Sequence, residues 1–319
     1  MCSIFSYVAK SGKTADISIL AEIVAANISR GPHAMGFAWI EQSGRMRCWK
    51  QPGNPIKMIG MLKQMRKAVM LVGHLRFATH GDPGDNITNH PHACDSGWIV
   101  HNGVIQNHRQ LISDYKLCPV SECDSEVIGL LAEKAEDETQ MGRLISAVEL
   151  CRGGGLAVGG LWTRRRQLVM IRRGNPLHIS ETAAGWYMAS LADGLPGKRD
   201  DIKSFADGSA VRFTQRGVAV DIEQDTVKYP PTPKFYEPPK RLAAVTEASA
   251  RRTYANADTF EDEWWKTKPG SKSTKAKPAA APAAVKPEQT IELDGDDMAD
   301  GGPTGVNADG SVTGEYRGG

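Results

Sequence analysis

Near residue 230 the character of the chain changes, and that break limits how much of it can pack. Upstream, apolar residues recur at helix and strand periods with short polar turns between them. Downstream come Tyr229-Pro230-Pro231, Pro233 and Pro238-Pro239, then a Lys/Ala/Pro run over 266–287 and an acidic, glycine-rich stretch over 288–319. Segments of that composition cannot bury enough apolar surface to offset their ordering entropy. The expectation is one folded domain over 1–225 and a Pro-rich connector over 226–265, with room for a short helix ending in Phe260, Trp264 and Trp265. A low-complexity disordered tail is expected over 266–319.

Composition narrows the function classes. Lysine plus arginine is 39 against 37 for aspartate plus glutamate, a formal net charge of +2. So even a balance argues against a protein that coats nucleic acid. Nothing approaches the roughly 18 apolar residues of a spanning helix, and the N-terminus lacks a signal peptide's charged start and apolar middle. A soluble, cytoplasmic protein is expected. The six cysteines, at 2, 48, 94, 118, 123 and 151, form no CxxC pair and no disulfide pattern. Arg152-Gly153-Gly154-Gly155 and Gly159-Gly160 fit neither phosphate-cradle spacing and read as close approaches within a sheet. The sequence gives no signature for a cofactor.

Ile17, Leu20, Ala21 and Val24 predict a helix after an N-terminal strand, and Met58, Ile59, Met61, Leu62 and Met65 a second. Residues 69–75 are short enough for a buried strand. Asp124 stands as an N-cap or first-turn residue before the helical spacing of Val127, Ile128, Leu130 and Leu131. Further strands are expected at 156–162, 168–172, 186–190, 211–213 and 218–222. Grouped rather than alternating elements point to an α+β fold.

The chemistry begins at Cys2. Removal of Met1, which a small second side chain permits, would leave one residue with both a thiol and a free α-amine. Such an amine titrates at about 7.7–8.0 and can serve the thiol as general base. A buried, inert cysteine is the ordinary alternative. In Gly73-His74-Leu75-Arg76-Phe77-Ala78-Thr79-His80-Gly81, an arginine leaves a buried strand into small and hydroxyl residues, suiting a loop that holds a carboxylate. Asn89-His90-Pro91-His92 is a polar loop with a rigid kink. Asn102-Gly103, within 100–107, is either a tight hairpin turn or an oxyanion hole built from a side-chain amide and a backbone N–H.

Together with Asp124-Ser125-Glu126-Val127-Ile128, these motifs, in this order and spacing, resemble the class II glutamine amidotransferases, which are N-terminal-nucleophile hydrolases. The likeness is to the glutaminase domain of glucosamine-6-phosphate synthase and related enzymes, and covers about residues 2–222. Arg30-Gly31 with Gly36, Arg172 to Leu177, and Met188-Ala189-Ser190 resemble weaker family motifs. The resemblance implies a four-layer αββα sandwich with two stacked antiparallel sheets. It implies Cys2 as nucleophile on L-glutamine, with Asn102 and Gly103 as oxyanion donors. Arg76 would take the substrate's α-carboxylate and Asp124 its α-ammonium, with Phe77, Thr79 and His80 lining the pocket. It needs no metal, so His90, His92, Cys94 and His101 are not expected to bind one. Phe77 stands where the family often has tryptophan, and Pro32-His33-Ala34-Met35 replaces a more polar stretch. Family members usually carry an acceptor domain. Residues after 225 are too polar and proline-broken for one, so the expectation is a stand-alone subunit that passes ammonia to a separate synthase protein, with nucleotide or modified-base amidation as a candidate use. The alternatives are a catalytically silent scaffold and a hydrolase of another amide.

Overall fold

The computed structural model describes residues 2–230, except 11, 80, 96 and 218, together with 291–293. Among these, fourteen strands form two antiparallel sheets. They are β1 Ser3–Ala9, β2 Ala34–Glu41, β3 Met46–Pro52, β4 Ala68–Arg76, β5 His92–Cys94, β6 Gly97–Asn102, β7 Leu156–Trp162, β8 Gln167–Arg173, β9 His178–Glu181, β10 Gly185–Ala189, β11 Lys203–Ser204, β12 Ser209–Arg216, β13 Ala219–Thr226 and β14 Ile291–Leu293. The α-helices are α1 Ile17–Asn27, α2 His108–Tyr115, α3 Glu126–Lys134 and α4 Gln140–Leu150.

The first sheet runs β11-β9-β10-β1-β4-β2-β3-β14 and the second β13-β12-β8-β7-β6-β5. Helix α1 and a 3₁₀ segment, Pro55–Lys67, cover the outer face of the first; α3 and α4 cover the second. The result is the αββα sandwich. Each sheet is therefore buried on both faces, so β1, β4, β7 and most of β2 and β8 are buried along their whole length and read as continuous apolar runs rather than alternating ones. Strand β13, at an edge, is exposed and carries charges that discourage further pairing. Helix α1 is capped by Asp16, whose carboxylate accepts from the Ser18 amide, and it buries Leu20, Ile23 and Val24.

Three local expectations change. Pro55–Lys67 winds as 3₁₀ rather than α, and its buried Leu62 and Met65 are three residues apart, the period of that winding. Asn102-Gly103 is not a hairpin turn: β6 ends there, pairs with β5 and β7, and the chain continues to α2. Asp124 does not cap α3; its carboxylate instead accepts the Ile105 amide at 2.6 Å.

Ile291–Leu293, within the segment expected to be tail, pairs antiparallel with β3. The remaining tail residues, and Phe260, Trp264 and Trp265, lie outside the described residues. Among the described residues no helix is long and apolar enough to cross a membrane.

Candidate active site

Strand register assembles the site. Because β1 lies antiparallel to β4 with Ser3 opposite Leu75, Cys2 emerges beside Arg76 and Phe77. On the other side of β4, Ala34 faces Arg76, which brings 30–33 to the same end. The second sheet contributes the end of β6. The two sheets are bonded across their interface by His74, whose Nε2 donates to the His101 carbonyl at 3.0 Å, directly before Asn102 and Gly103.

The Cys2 sulfur lies between the two polar groups of one peptide unit's neighbours. The Phe77 amide donates to Sγ at 3.3 Å, and Sγ donates to the Phe77 carbonyl at 3.4 Å. The Arg30 Nε donates to the Cys2 carbonyl at 3.1 Å and so fixes the strand end. Burial pushes the Cys2 thiol above its ordinary pKa, while the Phe77 amide and the Arg76 charge pull it down. A thiol in that condition needs a base to become a nucleophile.

Arg76 is buried. Its Nη1 donates to Thr88 Oγ1 at 2.5 Å and Asn89 Oδ1 at 2.7 Å, and its guanidinium also reaches the carbonyls of Gly81 and Asp82. The 81–89 loop thus holds the guanidinium with neutral oxygens. Phe77 is 39% exposed, and its ring rests on that of His33 at a centroid distance of 5.0 Å. Gly103 is packed where no side chain fits: a Cβ would meet His101 Nε2 at 2.6 Å and the Gly155 carbonyl at 2.9 Å.

One pocket is lined by Cys2, Arg76, Phe77, Thr79, Gly103 and Asp124, six of the eight residues expected from sequence. Asn102 is not on its wall. It is fully buried, its Nδ2 donating to Ser190 Oγ at a long 3.4 Å and its Oδ1 without a partner among the described residues. His80 lies outside the described residues. Sequence reasoning missed four further wall residues: His90, His101, Cys123 and Ser125. Ser125 Oγ pairs with His101 Nδ1 at 2.8 Å. Burial lowers the His101 pKa to about 4, so the ring is neutral. Arg30 was also unassigned, although Arg30-Gly31 was visible as a motif.

The chain is similar to the isomerizing glutamine–fructose-6-phosphate aminotransferase of Clostridium acetobutylicum, with 31% identity over 225 residues, 68% of this chain and 36% of that protein. The Clostridium tetani protein of the same name is 29% identical over 230 residues, with the same coverage. The chain thus spans about a third of the length of these curated relatives. No family model matches it. Among solved structures, the glutamine phosphoribosylpyrophosphate amidotransferase of B. subtilis, complexed with ADP and GMP, superposes with a TM-score of 0.56 at 18% identity, over 70% of this chain and 49% of that one. A structure described as the allosteric regulatory enzyme of purine biosynthesis gives 0.59 at 18% identity, with the same coverage. Fold and neighbours define an αββα sandwich of two antiparallel sheets shared with these enzymes. Together with the sequence relatives, they establish that the chain carries a class II glutamine amidotransferase domain.

Proposed function

We propose that this domain hydrolyses L-glutamine through Cys2 and that the ammonia passes to an acceptor outside these 319 residues, carried by a separate synthase protein. The observation that carries the reading is the convergence of Cys2, Arg76, Gly103 and Asp124 on one pocket. A guanidinium and a carboxylate on the walls match the two charged ends of a free amino acid, and a sulfur stands between them and the oxyanion position.

After loss of Met1, the Cys2 α-amine takes the thiol proton, directly or through a water. The thiolate attacks the side-chain amide carbon, and the oxygen becomes an oxyanion facing the Gly103 amide and the Asn102 side chain. Asn102 is held by only one long donor bond, so its amide can turn toward that oxygen. Removal of one such donor costs about 10²–10³ in rate. The ammonium then returns its proton to the leaving nitrogen, ammonia departs, and a Cys2 thioester remains. Water cleaves the thioester to glutamate and free thiol. Arg76 orients the α-carboxylate, Asp124 the α-ammonium, and Phe77 with Thr79 and His80 closes over the substrate.

The test is intact-protein mass spectrometry on C-tagged protein before and after a glutamine-mimicking diazo-ketone, with glutamate release measured in parallel. Loss of Met1, one label per chain and turnover, with label and turnover both absent in Cys2→Ala, is the expected result. A processed, folded protein that takes no label and releases no glutamate sinks the proposal. Glutamine turnover untouched by Arg76→Ala would instead point to a hydrolase of another amide. Delivery to an acceptor is tested separately, by incorporation of amide nitrogen from labelled glutamine into a product made only when a second protein is present.

A further inference from the structure

Three donor side chains that glutamine hydrolysis does not use lie together, His90 and Cys123 on the pocket wall and His92 next to them. His90, His92 and Cys123 are buried, and one ligand atom from each lies within 4.8 Å of the others. They come from separate segments: His90 and His92 flank Pro91 at the start of β5, and Cys123 precedes α3. Neither ring nitrogen of His90 has a hydrogen-bond partner among the described residues, nor does Nε2 of His92. An unsatisfied buried polar group costs about 1–3 kcal/mol. Adjacent buried imidazoles in that state call for a partner, a water or a bound ion.

We propose that His90, His92 and Cys123 form a binding site for a thiophilic divalent cation of the zinc class, in the wall of the glutamine pocket. Two imidazoles and one sulfur suit zinc and disfavour magnesium or calcium, which take oxygen donors. A tetrahedral zinc with metal–nitrogen distances of about 2.0–2.1 Å and a metal–sulfur distance of about 2.3 Å holds its donors roughly 3.3–3.6 Å apart. The ligand atoms, all within 4.8 Å of one another, therefore have to draw together by at most about 1.5 Å. Three protein ligands leave a fourth position, and because His90 and Cys123 line the pocket, that position opens toward it.

Because the thiolate is the form that ligates, binding displaces the Cys123 thiol proton to solvent, one proton per cation. The Cys123 sulfur lies 3.9 Å from Asp124 Oδ1, so a carboxylate stands next to the site. The geometry of His90 supports its use: it stacks on His74 at 3.9 Å between centroids and meets His92 edge-on at 4.5 Å, which holds the two rings at a fixed angle. Because Cys123 adjoins Asp124, loading the site would also fix the carboxylate that faces the glutamine ammonium.

The experiment uses the full chain, stripped with chelator and titrated with zinc against a chromophoric competitor, then with cobalt as a spectroscopic substitute. The expected result is one cation per chain, an intense tetrahedral cobalt spectrum and a thiolate-to-cobalt charge-transfer band. Cys123→Ser and His92→Gln should each weaken binding by more than the roughly 10–100-fold that outer-shell changes cost. Exposed Cys118 serves as control, and Cys118→Ser should change nothing. Zinc X-ray absorption on the unaltered protein, showing nitrogen and sulfur scatterers, decides the matter even if a variant fails to fold. No stoichiometric binding, an octahedral cobalt spectrum, or binding that survives both ligand substitutions overturns the proposal. So does binding that disappears in Cys2→Ala, since the nucleophile would then be the ligand. Cys2→Ala lacks turnover, so metal binding retained in it stands or falls independently of the hydrolysis reading.

Discussion

The sulfur of Cys2 and the backbone of Phe77 are bonded in both directions, with the Phe77 amide donating to Sγ and Sγ to the Phe77 carbonyl. The strand end that bears Cys2, the proposed nucleophile, is therefore tied to the residue after Arg76, the first of the loop that would cover substrate. Phe77 itself is 39% exposed, and its ring rests on that of His33. Its ring is free to move over the pocket without disturbing the core. Phe77→Ala should raise the glutamine KM with little change in stability, because exposed side chains away from special features seldom matter by more than about 0.5 kcal/mol. Kinetics beside a thermal melt would show it, and unchanged KM would remove Phe77 from the substrate cover.

The proposed base is the α-amine of Cys2, so anything that acylates it should silence the enzyme. A non-cleavable N-terminal tag should lower glutaminase turnover by about 10²–10⁴, the range of general acid–base catalysis. Equal turnover by N-tagged and C-tagged protein would assign proton transfer elsewhere, and the neutral pocket residue His101 would be the next candidate.

Much of this site can be read from the chain itself, for a physical reason. Cys2, Arg76, Gly103 and Asp124 sit in short motifs whose chemistry is local: a nucleophile beside an amine, a cation at a strand end, an amide before a glycine. His101, Cys123 and Ser125 adjoin Asn102 or Asp124 in the chain and His90 sits in Asn89-His90-Pro91-His92, so the motifs hold these residues, but that their side chains also face the pocket depends on strand pairing rather than on spacing. The same holds for Arg30, whose bond to the Cys2 carbonyl depends on β2 lying beside β4. Among the elements, β2 is illegible because burial on both faces removes alternation and leaves Ala34-Met35-Gly36-Phe37 without a period. Helix α4 is not among the expected elements, although Met141, Leu144, Ile145 and Val148 carry a helical spacing and Thr139 caps it.

Gly31 explains why the Arg30-Gly31 pair belongs to the site. A Cβ there would meet the Leu75 carbonyl oxygen at 2.2 Å and the Arg76 amide nitrogen at 2.8 Å. Those are backbone atoms and cannot rotate away. Gly31→Ala should cost about 1–3 kcal/mol as overpacking and push β4 from its register at Arg76. A lower denaturation midpoint together with a raised glutamine KM is expected. A stable variant with normal KM would mean that the 30–33 segment can separate from β4 without consequence.

His101 makes stability depend on pH in a definable direction. Its folded-state pKa is lowered to about 4, mainly by burial and then by the Arg173 charge, with Asp124 opposing, whereas an unfolded histidine titrates near 6.5. The unfolded chain therefore takes up the proton first as pH falls. The stability present above about pH 6.5 is lost progressively down to about pH 4, at up to roughly 1.4 kcal/mol per unit for this one group. Glutamine in its place can keep a polar contact with Ser125 but cannot titrate. Between pH 7 and pH 5, denaturant unfolding of His101→Gln should therefore lose about 2 kcal/mol less than the unaltered protein. Parallel losses in the two proteins would show that folding leaves the ring's pKa unshifted, and that burial does not hold it neutral.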